Sequence, residues 1–186
     1  MKRGDKKGFT IIEVSLVLAI AGLIFLMIFI ALPALRRTQR DAARRDDMMN
    51  FIKEVKTFQT NNRGALPSAN SNKVTVQWKT IGNPSATSWA GFFKNYMGEK
   101  FVDPDGSHYN LIVVKCTAAS VGDECTVSGF ADLNNLNTKT FPYSNYSIVV
   151  ATQATCAGEK AVGVANPRKI AVLYRLEGAG VYCGST

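Results

Sequence analysis

Residues 6–24 read K-K-G-F-T-I-I-E-V-S-L-V-L-A-I-A-G-L-I, and the apolar run they open continues to Leu35. Across the 27 residues from Phe9 to Leu35 the single charge is Glu13. A bilayer core needs about 20 apolar residues, and the hydrophobic region of an ordinary secretory signal spans only about 7–15. No small-residue A-x-A site follows the run; the chain passes directly into RRTQRDAARR at 36–45. The stretch therefore reads as a membrane-spanning helix near the N-terminus.

Working outward, the helix need not stop where the apolar run does. After Pro33 there is no glycine or proline until Gly64, and Met48, Phe51, Ile52, Val55 and Phe58 recur at i, i+3, i+4, i+7, an amphipathic stripe. Asn61, Asn62 and Gly64 supply a stop, with Pro67 beyond it. A helix from Phe9 to Asn62 would be about 80 Å long at 1.5 Å per residue. Pro33 falls inside it and is expected to kink or locally melt it.

From Ala65 the texture changes. Val74–Lys79 alternates and reads as a short strand. Ser88–Met97 reads as a short helix capped by Ser88, with Trp89, Phe92, Phe93, Tyr96 and Met97 on one core-facing side and Gly98 ending it. YNLIVVKC (109–116), YSIVVAT (146–152) and KIAVLYRL (169–176) read as strands. Turns fall at Asp103-Pro104-Asp105-Gly106, Asn134-Asn135 and Asn166-Pro167. A long helix followed by several strands predicts an α+β fold with an antiparallel sheet of about four strands.

The cysteines, Cys116, Cys125, Cys156 and Cys183, all lie in the C-terminal half. Their spacing lacks the paired C-x-x-C of a zinc site, and His108 is the sole histidine. An even count in one region favours two disulfides over buried free thiols, and hence an oxidising compartment. Three pairings are open; we favour Cys116–Cys125, closing a short loop around SVGDE, and Cys156–Cys183, tying down the C-terminal region.

The formal charge of +8 includes a net +3 from residues 1–8, where Lys2, Arg3, Lys6 and Lys7 stand against Asp5. Arg36, Arg37, Arg40, Arg44 and Arg45 lie just beyond the apolar run. A cluster at that depth points to lipid head groups rather than to nucleic acid. Basic residues on both sides leave the positive-inside rule undecided. The cysteines place the C-terminal domain outside the cytoplasm and the leader inside.

The segment 6–24 resembles the N-terminal signal of type IV pilins and pseudopilins: a basic leader, a Gly-Phe junction, a glutamate at fixed offset and an uninterrupted span. In that family a membrane aspartyl protease cuts after the glycine and methylates the new first residue. The resemblance implies a cut between Gly8 and Phe9, N-methylation of Phe9, and an assembly role for Glu13. A carboxylate in a transmembrane helix calls for a partner. The Phe9 amine of a staggered neighbour would supply one, driving assembly and fixing axial register. Pro33 falls where the family has its helix-breaking proline. The RRTQRDAARRDD stretch at 36–47 is more densely charged than the family leads one to expect. It reads as a solvated face, with pairs such as Arg37–Asp41 available at i, i+4.

The turn F-V-D-P-D-G-S-H-Y (101–109) is similar to an Asp-Pro-x-Gly-x-x-Tyr turn of some pilins and pseudopilins. Asp103 and Asp105 are weak calcium candidates, without the spacing of an EF-hand; otherwise no metal is indicated. His108 reads as an exposed side chain. No G-x-S-x-G, Walker loop or H-E-x-x-H occurs, so the sequence suggests neither an enzyme nor a cofactor.

The expected organisation is a cleaved basic leader at 1–8, a transmembrane and filament-core half-helix at 9–35, an amphipathic half-helix at 36–63, and an extracellular sheet-bearing domain at 64–186. The implied fold is type IV pilin-like: a long kinked N-terminal helix on an antiparallel sheet with a disulfide-stapled C-terminal region. The implied function is that of a structural subunit: single-pass in the membrane before assembly, extracellular afterwards. Implied partners are its own copies and other pilins, the prepilin peptidase, and the inner-membrane assembly platform. The alternatives are a minor pilin, a pseudopilin of secretion or DNA uptake, or an anchored extracellular binding protein that never polymerises.

Overall fold

The structure is a computed structural model that describes residues 8–69, 73–117, 120–125, 146–178 and 180–186. The expected Asn134-Asn135 turn lies outside these residues. Contacts divide the chain into two compact units, 1–39 and 40–186. Helix α1, Ile11–Asn61, contributes its first part to the former and its second part to the latter.

In the first unit α1 is apolar all round and its large side chains are uncovered: Ile11 is 87 % exposed and Phe29 73 %. Pro33 lies inside α1, which runs through it as helix.

In the second unit α1 has the amphipathic stripe that its spacing predicts, with Met48, Phe51, Ile52, Val55 and Phe58 buried. It stops in a left-handed pair, Arg63 (φ 56°) and Gly64 (φ 81°), and Gly64 N–H donates to the Gln59 carbonyl at 2.6 Å. That closes an orphan carbonyl of the last turn, which helix ends otherwise leave open.

The main sheet has five strands in the order β1-β2-β3-β6-β7, and β4 with β5 forms a separate two-stranded sheet. The strands are β1 Lys73–Gln77, β2 Asn110–Lys115, β3 Ser147–Thr152, β4 Ala154–Ala157, β5 Lys160–Gly163, β6 Ile170–Arg175 and β7 Val181–Ser185. The sheet is mixed rather than antiparallel: β2 and β3 run parallel, in register Leu111 with Ile148, while the other pairings are antiparallel. The long stretch between Lys115 and Ser147 explains this, because a parallel pair needs a crossover and a tight hairpin cannot supply one.

Strands β2, β3 and β6 are buried on both faces, which accounts for their continuous rather than alternating apolar runs. One face, through Leu111, Val113, Ile148, Val150, Ile170 and Val172, shares a core with the α1 stripe. Gly184 of β7 packs closely on α1: an added Cβ would come within 2.6 Å of Ile52 Cδ1 and of the Tyr182 hydroxyl, so those side-chain ends would have to move. The other face, through Ile112, Val114, Val149, Ala151 and Leu173, packs with Ala154, Ala161 and the cysteines.

Helix α2 spans Trp89–Phe92 and passes into a π-helical turn over Phe93–Met97; Ser88 Oγ caps it by accepting from Gly91 N–H at 3.1 Å. Trp89, Phe92 and Phe93 are buried, and Phe92 meets Phe51 edge-on at 5.6 Å and Phe58 at 5.8 Å. The aromatic stripe is core, as its helical spacing predicts.

Candidate functional site

The N-terminal signal begins with a local motif that the reading from sequence passed over. Thr10 and Glu13 form a capping box: Thr10 N–H and Thr10 Oγ1–H both donate to Glu13 Oε2 at 2.9 Å, and Glu13 N–H donates back to Thr10 Oγ1 at 3.3 Å. The signal was legible as T-x-x-E immediately before an apolar run. Both residues lie after the Gly8–Phe9 junction, so a cut there leaves the cap intact. Gly8 and Phe9 are exposed, Phe9 to 90 %, so the junction is open to an approaching protein. Glu13 is the sole charged residue on α1 from Ile11 to Leu35.

The second unit holds a buried ionic lattice in the segment expected to be a solvated face. Arg44, with its side chain 5 % exposed, makes a two-pronged pair with the fully buried Asp103: Nε to Oδ2 at 2.6 Å and Nη2 to Oδ1 at 2.8 Å. Its Nη1 reaches Glu177 Oε1 at 2.9 Å and Asp41 Oδ1 at 3.2 Å. Arg40 forks onto Glu177 at 3.0 and 2.7 Å. Asp41 accepts from the backbone N–H groups of Glu177 and Gly178, both at 2.9 Å. Tyr174 donates to Asp103 Oδ2 at 2.9 Å, and Tyr109 donates to Asp47 Oδ2 at 2.8 Å.

Two expectations are thereby corrected. Arg40 and Arg44 pair with carboxylates, Asp103 of the 103–106 turn and Glu177 just after β6, rather than with lipid, and Asp41 answers Arg44 and the 177–178 backbone rather than Arg37. The lattice was hidden because, apart from Asp41 with Arg44, its side-chain partners lie 59 to 137 residues apart.

The lattice also engages Asp103, one of the two calcium candidates. Each Asp103 oxygen carries two donors, Oδ2 from Arg44 and Tyr174, and Oδ1 from Arg44 and the Asp105 N–H at 3.1 Å. Its acceptor positions are thus taken up by protein donors. Asp105 Oδ1 accepts from the Ser107 N–H at 2.9 Å, and Gly106 takes φ 89° to close the turn. Among the described residues no group of three or more His, Cys, Asp or Glu is placed to hold a metal. His108, expected to be exposed, is half-buried and stacks on Trp78 at 5.9 Å.

Burial shifts several groups here. Asp47 is pushed above the usual carboxylate range, first by burial, which outweighs the Tyr109 hydrogen bond, and then by the charges of Asp103 and Asp46. Glu177 is held below that range, first by the Arg40 hydrogen bond. Burial raises the Tyr109 hydroxyl, with the Asp47 hydrogen bond adding to it.

Cys116 is bonded to Cys125 and Cys156 to Cys183. The first disulfide loop lies along β5 through Cys125 N–H to the Ala161 carbonyl at 3.0 Å and Gly163 N–H to the Asp123 carbonyl at 2.9 Å. The second joins β4 to β7. Together they fasten the β4–β5 sheet over the second face of the main sheet.

An α+β unit with a disulfide-bonded C-terminal region, on a chain that opens with an exposed apolar helix, is the architecture to which the N-terminal signal points. Residues 3–29 match the family described as the prokaryotic N-terminal methylation motif, the signal of type IV pilins and prepilins. No curated protein and no solved structure matches the chain. By length and composition α1 is also long and apolar enough to cross a membrane.

Proposed function

We propose that this chain is a structural subunit of a type IV pilus or pilus-like filament. It is processed between Gly8 and Phe9 and assembles through the apolar half of α1. The observation that carries this reading is Glu13: one carboxylate, inside a matched methylation signal, on a helix whose every other side chain to Leu35 is uncharged and whose large apolar side chains there are uncovered. An apolar surface of that extent needs lipid or other helices against it. The bilayer covers it before assembly and neighbouring subunits cover it afterwards.

The capping box refines the role of Glu13. Its hydrogen bonds from Thr10 fall on Oε2, which leaves Oε1 to accept from the Phe9 amine of a staggered neighbour. That amine exists only after the leader is removed, so processing by a prepilin peptidase precedes assembly at the inner-membrane platform. The two disulfides support an oxidising compartment for the second unit, and thus a cytoplasmic leader.

The test is Glu13→Ala, comparing filaments sheared from cells at matched membrane levels of the processed chain. Loss of filaments with processing retained is the expected result. Undiminished filaments would sink the assembly mechanism and favour an anchored protein that does not polymerise.

A further inference from the structure

We infer a binding groove for the phosphate backbone of nucleic acid at the end of α1, independent of the filament reading. The groove has a volume of about 590 Å³ and is lined by Lys56, Gln59, Arg63, Arg168 and Lys169, with no acidic side chain. Lys56, Arg63, Arg168 and Lys169 are all exposed. None of the four pairs with an acidic side chain among the described residues, whereas Arg40, Arg44 and Lys160 each face a carboxylate. Residues 40–186 carry sixteen Lys and Arg against twelve Asp and Glu, so the groove gathers as many cations as the unit's whole excess.

The groove is built from two distant segments. Arg63 stands in the left-handed turn that ends α1. Arg168 lies across Gly64, where an added Cβ would come within 3.1 Å of its Nη1. The loop under Arg168 is fixed by its own N–H to Asn166 Oδ1 at 2.9 Å and by Gln59 Nε2 to its carbonyl at 2.8 Å. Lys169 donates to the Thr186 carbonyl. Compensation of the helix dipole explains cations at a helix C-terminus. It does not call for two more from a loop over a hundred residues away. No aromatic side chain lines the groove, so bases have nothing to stack on, and recognition is of phosphates without sequence preference. A phosphodiester chain, with charges at regular intervals and no need for a shaped pocket, suits an open groove of this kind.

The experiment uses the full chain in nanodiscs of phosphatidylcholine with a 30-base-pair duplex of mixed sequence, titrated at about 50 and 200 mM salt. Three to four phosphate contacts predict binding about 40- to 150-fold weaker at the higher salt. Arg63→Gln with Arg168→Gln should weaken binding and shrink that ratio about tenfold. Lys79→Gln with Lys100→Gln, an equal loss of charge at exposed positions elsewhere, should leave it unchanged. Should the first double variant misfold by near-ultraviolet circular dichroism, Lys56→Gln with Lys169→Gln carries the same expectation. Equal effects of groove and control variants would overturn the site. Tighter binding of heparin than of duplex at matched charge would overturn nucleic acid as its occupant.

Discussion

Arg44 and Asp103 form the most consequential residue pair in the second unit, because both are charged and both are withdrawn from water. Breaking a buried pair strands the surviving charge, at a cost of about 3–5 kcal/mol. Asp103→Ala should therefore lower stability by that amount in denaturant titrations of the detergent-solubilised chain. Arg44→Met combined with Asp103→Leu should cost less than Asp103→Ala alone, since Arg44 is then no longer left buried without Asp103; a larger loss in the double variant would contradict this account. The flanking carboxylates respond to pH with opposite signs. Glu177 has a lowered folded value, so its contribution is present above the unfolded value of about 4.3 and is lost as pH falls through the folded one. Asp47 has a raised folded value, so its ionisation opposes folding, and acidification through that value relieves the cost. Asp47→Asn should thus help stability more at about pH 7 than at about pH 4. Glu177→Gln should cost stability at about pH 7 and little at about pH 3. Thermal melts of each variant at the three pH values check both signs. None of this was visible in the order of residues, where Asp103 reads as a turn residue and Arg44 as one of five arginines.

Among the elements, those with strong periodicity or dense β-branching were legible. The α1 stripe, β2, β3, β6 and the Ser88-capped helix fall within a residue or two of where spacing puts them. Strands β4, β5 and β7 were not, because ATCA, KAVG and VYCGS are short and rich in small residues. They are strands through their attachments: the first disulfide loop and the Cys156–Cys183 bond hold them against a core that supplies what their own side chains lack. The parallel pairing of β2 with β3 was equally hidden, since register between distant strands leaves no mark on either. Removal of the disulfides should expose this dependence. From separations of 9 and 27 residues, loss of Cys116–Cys125 should cost roughly 2.5 kcal/mol and loss of Cys156–Cys183 roughly 3.5 kcal/mol. Serine variants compared by urea unfolding test that order, and equal or inverted losses would mean that native contacts rather than loop length govern the cost.

At the scale of the whole molecule, the N-terminal signal was more legible than the strand pairing, because a targeting signal is local whereas a sheet is not. The junction Gly8–Phe9, Glu13 and the start of the uncharged span sit within one short stretch, residues 3–29, that matches the methylation motif. The basic groove is the contrary case: its two halves are separated by over a hundred residues, and reading the chain directed attention to the arginines at 36–45 instead. The central claim is that the chain is processed as a prepilin, and the intact mass and N-terminal sequence of the protein from its native membrane test it most directly. The account predicts a chain that begins at Phe9 and carries one added methyl group. A chain that still begins at Met1 would contradict it and leave a single-pass anchored domain in its place.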